Sequence, residues 1–152
     1  MDGKKQKYFP DYFEDSAQIE IRKWGTNADI LVYRVGKYGK NDSTAFLNYY
    51  EEAVKGLKPI RRNKEQYLEK CRKNIDSLSV SCYEKKEDIE DYYKITLKDT
   101  YPARILLHGR TASDCGLSCR TKERKENYTN SHVDWWLFQD SQPWKHFEEV
   151  EV

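Results

Sequence analysis

Apolar residues fall in short clusters along this chain, and the spacing inside each cluster predicts its element. The run ADILVYRV, residues 28–35, is β-branched and aromatic and ends at Gly36, the pattern of a strand packed on both faces. Because strand side chains alternate, Ile30, Val32 and Arg34 share one face. Asp42 is placed to cap a helix over residues 43–55, where Phe46, Tyr49, Tyr50 and Ala53 recur at three- and four-residue steps until Gly56 and Pro59 stop it. A second helix, residues 63–73, opens on Asn63 and Gln66 at capping-box spacing and turns Tyr67, Leu68 and Cys71 inward.

Residues 78–83 read as a short strand with Leu78, Val80 and Cys82 on one side and Ser79, Ser81 and Tyr83 on the other. A charged helical turn over residues 84–93 follows, then strands at 93–98 and 103–109 and a long polar loop over 110–131. In the last strand, residues 131–138, His132, Asp134, Trp136 and Phe138 alternate with Val133, Trp135 and Leu137. These elements predict an α+β fold, with small twisted sheets forming a cleft flanked by two or three helices. Nothing repeats and no linker interrupts the chain, so residues 1–152 are expected to form a single domain. It divides into an N-terminal segment (1–27), a core (28–138) and an aromatic and acidic tail (139–152).

Composition changes this picture in three ways. Hydrophobic residues make up 38% of the 152 positions, and the 12 Tyr and 4 Trp must supply core area that Leu and Ile do not. Lys and Arg total 27 against 26 Asp and Glu, so any electrostatic role is local; the basic run 58–73 reads as a solvated helix face. No apolar run approaches the ~20 residues that span a bilayer and none at the start resembles a secretion signal, so a cytoplasmic protein without membrane contact is expected. There Cys71, Cys82, Cys115 and Cys119 should be reduced, and their spacing suits no zinc knuckle, so no metal is expected.

Three strands each carry a feature that packing alone would not choose: Arg34, the Ser79 and Ser81 pair, and Asp134 beside His132. A buried arginine must find an anion or carboxylate. The order VYR, then SVS, then HVD resembles the arginine-serine-glutamate class of ADP-ribosyltransferase domains. That resemblance implies an NAD-dependent ADP-ribosyltransferase or NAD glycohydrolase, with NAD as substrate. By carry-over, Arg34 grips the dinucleotide, and Ser79 holds the ribose region and orients the acid. Asp134 stabilises the oxocarbenium-like centre as nicotinamide leaves. Tyr33 and Tyr83 would offer stacking surfaces, with Ser81 and His132 completing the cofactor-binding set. The family's last strand has Glu-x-Glu where this chain has His132-Val133-Asp134, so the acid is one carbon shorter.

Two rival readings stand beside that one. The first is a non-enzymatic intracellular adaptor or inhibitor that uses the aromatic stretch Trp135 to Phe147 and the basic helix as a protein-binding face. The second is an RNA or single-strand binder in which Tyr and Trp stack beside Arg and Lys. Aromatic residues without a basic majority do not favour nucleic acid.

Overall fold

A computed structural model describes residues 7–61 and 63–152; Arg62, within the basic run, lies outside the described residues. The fold is α+β. A single six-stranded antiparallel sheet replaces the expected pair of small sheets. Its strands are β1 (Leu31–Gly36), β2 (Val80–Tyr83), β3 (Ile105–Arg110), β4 (Gly116–Arg120), β5 (His132–Leu137) and β6 (Phe147–Val150), in the order β4-β5-β2-β1-β3-β6. Among the described residues five α-helices accompany it: α1 (Asp15–Trp24), α2 (Tyr49–Val54), α3 (Lys64–Lys73), α4 (Ile75–Leu78) and α5 (Glu87–Asp91).

Alternation along the strands builds a core on each side of the sheet. On one side Val32, Val80, Cys82, Leu107, Val133, Trp135 and Phe147 pack with Phe46. On the other, Trp136 and Cys119 meet Phe13, Ala17 and Ile21 from α1 and its approach, while Val35 and Leu106 meet Ile89 and Leu97. The aromatic stretch from Trp135 is therefore largely interior: Trp135, Trp136, Phe138 and Phe147 are buried.

Helix boundaries follow the capping residues. Asn63 accepts from the Gln66 N–H and starts α3, with Leu68 and Cys71 inward. The helix expected over residues 43–55 is split. Asp42 caps a single 3-10 turn, Ser43–Phe46, and Asn48 then starts α2 with a full capping box to Glu51. The break occurs because Asn48 also donates from Nδ2 to Leu78 O (3.2 Å) and Tyr12 Oη (2.9 Å), which ties the chain down between the two pieces.

Three expectations are corrected. Residues 93–98 are not a strand: α5 runs on into a wide helical turn, Tyr92–Thr96, and the Leu97 N–H reaches Tyr92 O at 3.0 Å. Short apolar runs fit either period, and burial of Leu97 beside Ile89 selects the helical one. The polar loop 110–131 contains β4, which lies between β5 and the bridge from Thr26 to Ser118. A Cβ on Gly116 would sit 2.2 Å from Trp136 O, so glycine permits this close strand approach. The tail is the edge strand β6, paired with β3.

Candidate functional site

The sheet is weakest at its centre. β1 and β2 are in register only at Tyr33 and Tyr83, whereas every other neighbouring pair shares at least four positions. A crevice of about 230 Å³ opens where the two strands diverge, and Arg34, Ser79, Ser81 and Tyr83 all line it, along with Asn48 and Tyr92. Four of the seven residues singled out in the sequence thus meet in one place.

Glu52 also lines the crevice, but among the described residues no carboxylate lies within ion-pair distance of Arg34. Its Nε donates to Ala45 O (2.7 Å), Nη1 to Ser81 O (2.7 Å) and Nη2 to Leu47 O (3.3 Å), so the guanidinium bridges the diverging strand and the 3-10 turn through main-chain carbonyls. These bonds use three of its five N–H groups. The expectation that it needs a carboxylate is corrected: three converging carbonyl oxygens hold the half-buried guanidinium instead.

Asp134 lies behind the crevice and does not line it. The residue is 1% exposed. Its Oδ2 accepts from Arg124 Nε and Thr121 Oγ1, both at 2.9 Å, and its Oδ1 is 3.4 Å from the Ser79 hydroxyl. Ser79 links the network to the crevice by hydrogen bonding, since its one proton can serve Asp134 or Asp76 O, the latter at 3.2 Å. Arg124 also donates to Asp76, which Lys125 holds at 2.6 Å. Burial disfavours the charged guanidinium, yet the bonds to Asp134 and Asp76 more than offset this and hold its pKa above the ordinary value.

His132 completes the network. Thr121 gives its only hydroxyl proton to Asp134, so it must accept from His132 Nδ1 at 2.5 Å, which places the imidazole proton on Nδ1. Burial lowers the His132 pKa against the pull of Asp134. Tyr83 meets the ring edge-on at 5.1 Å. Tyr33 stacks on His108 at 4.3 Å, so one of its faces is taken within the sheet.

A second concavity lies away from the sheet. Between α3 and the segment ahead of it, a groove of about 710 Å³ is lined by Lys58, Arg61, Lys70 and Lys73, with Glu69 as its carboxylate and Ile60 among its apolar residues. Lys58 Nζ donates to Tyr67 Oη at 2.9 Å and lies 4.3 Å from the Tyr49 ring centroid. Lys70 and Lys73 continue into an adjoining hollow of about 580 Å³ that reaches Arg124 and Lys125.

Among the described residues the four cysteines are free and buried. Cys82 and Cys115 belong to the core on one side of the sheet and Cys119 to the other, so the close sequence pair Cys115 and Cys119 does not meet. No helix among the described residues is long and apolar enough to cross a membrane.

Comparison with models of protein families, with characterised proteins and with solved structures finds no match to this chain. Sequence reasoning singled out Asp134 and Ser79 but not Thr121 and Arg124, which hydrogen-bond Asp134. The available signal was the isolated acid in an apolar strand, which required a cation, and the Arg- and Lys-rich stretch 104–125 that could supply one.

Proposed function

We propose that this chain is a non-catalytic binding domain that seats an acidic segment of a partner protein in the groove along α3. One observation carries the reading: Lys58, Arg61, Lys70 and Lys73 line a single groove beside one carboxylate, in a chain whose overall charge is only +1. Such local concentration favours an anionic ligand. The groove also offers Pro59 and Ile60, apolar surface that suits peptide side chains. Base stacking is less well served, because the Lys58 ammonium already covers the Tyr49 and Tyr67 rings at 4.3 and 5.3 Å. This reading keeps the basic helix as an interaction face and assigns the aromatic stretch after Trp135 to the core.

Fluorescence anisotropy with a glutamate-rich peptide and with a single-stranded RNA of equal charge tests it. The peptide should bind the more tightly, and the double variant Lys70→Glu/Lys73→Glu should weaken it at least ~10-fold, with screening by salt. Tighter binding of the RNA would transfer the groove to nucleic acid, and binding of neither would sink the proposal.

A second reading, NAD hydrolysis or ADP-ribosyl transfer, is favoured by the meeting of Arg34, Ser79, Ser81 and Tyr83 in one crevice. Two N–H groups of Arg34 remain for a ligand. The acid needed for the chemical step is less well placed, since Asp134 stands behind Ser79 with its charge balanced by Arg124. Incubation with NAD should release no nicotinamide; release that Asp134→Asn abolishes would reinstate the enzyme.

A further inference from the structure

The loop between β3 and β4 and the 3-10 turn ahead of β6 bring together three side chains that neither the crevice nor the groove uses. His146 Nε2 is 3.3 Å from Asp114 Oδ1, and the Cys115 Sγ is 3.5 Å from the same oxygen. All three donor atoms lie within 4.8 Å of one another. Tetrahedral zinc, with Zn–S near ~2.3 Å and Zn–N and Zn–O near ~2.0–2.2 Å, separates its ligand atoms by about 3.3–3.6 Å. Both measured edges match that spacing.

The donor types point the same way. A thiol, an imidazole and a carboxylate are also the donor set that zinc selects. We propose that Asp114, Cys115 and His146 bind a zinc ion, with solvent in the fourth position beside the exposed carboxylate. A thiol ligates zinc as the thiolate, so binding must release the Cys115 proton.

Coordination through Nε2 requires the other ring nitrogen of His146 to carry the proton. Arg110 Nη2, now 3.4 Å from that nitrogen, must then move off it; Nη1 keeps Arg110 on Asp29 at 2.6 Å. The ion would join the β3–β4 loop to the turn that leads into β6. It would act as a clamp on the edge strand.

Titration of chelator-treated protein with cobalt and zinc tests the site. Cobalt should give a thiolate charge-transfer band and the intense visible bands of tetrahedral geometry at a single equivalent. Zinc should displace it, and zinc added to the metal-free protein should release about one proton and raise the melting temperature. Cys115→Ser should abolish the charge-transfer band, and His146→Ala, at a half-exposed position, should weaken zinc at least ~100-fold while circular dichroism stays unchanged. Cys119→Ser should leave cobalt binding intact. Absence of the band in the unaltered protein, or zinc affinity unchanged in His146→Ala, would overturn the proposal.

Discussion

Arg124 and Asp134 form an ion pair inside the protein: Nε donates to Oδ2 at 2.9 Å, with the two side chains 6% and 2% exposed. The arginine comes from the turn after β4 and the acid from β5, so the pair fastens an irregular segment to the interior of the sheet. Removing one partner leaves the other desolvated. Arg124→Met is therefore expected to cost about 3–5 kcal/mol in urea unfolding. Replacing both partners, as Arg124→Met/Asp134→Leu, should cost less than Arg124→Met alone, because no buried charge remains. A double variant less stable than the single one would show that the pair contributes more than mutual compensation.

Acid should weaken the fold through His132. Burial lowers the imidazole pKa below its ordinary 6.5, so the folded state binds the proton less readily than the unfolded chain. The stability tied to the neutral ring is present above about pH 6.5 and is lost as the pH falls through the folded-state pKa. Urea midpoints measured between about pH 7 and pH 5 should fall, and His132→Gln should flatten that slope. An unchanged slope in the variant would place the acid sensitivity elsewhere.

Two adjacent tryptophans should respond differently to the same change. Trp136 Nε1 donates to Ile75 O at 2.8 Å, whereas Trp135 Nε1 is buried with no partner among the described residues. Each is fully buried, so substitution by Phe removes similar volume at both sites. Trp136→Phe additionally orphans a buried carbonyl, which adds about 1–3 kcal/mol. The Trp135→Phe protein should be the more stable by about that amount, and equal losses in thermal unfolding would count against this hydrogen-bond assignment.

The elements visible in the sequence were those whose local signals agreed with their packing. α3 has a capping asparagine and a clear inward stripe, and β5 is a short apolar run buried on both faces, so both were legible. α1 buries only Ala17 and Ile21, which leaves too faint a period, and β4 is a Gly-Leu-Ser-Cys-Arg segment that becomes a strand through pairing with β5 and Thr26. Of the polar features, Ser79 and Asp134 stood out as exceptions on apolar strands. Thr121 and Arg124 did not, because they lie in a polar stretch with no period to break. Arg34 was legible as an anomaly but not in its partners, which are carbonyls that only the folded chain brings together.

Binding in the α3 groove should divide between rates according to where each side chain lies. Lys73 is exposed and pairs with exposed Glu69 at 3.2 Å, a solvent-screened contact, so its charge still acts on an approaching acidic segment before docking. Lys73→Ala should mainly slow association, and added salt should erase the difference between variant and parent as the Debye length shrinks to ~8 Å near physiological ionic strength. Ile60 lines the groove and is half-buried, so it touches a ligand only after docking. Ile60→Ala should mainly speed dissociation, with little dependence on salt. Stopped-flow measurements with the glutamate-rich peptide separate the two effects. Association insensitive to both Lys73→Ala and salt would mean that the groove's charge does not guide its ligand.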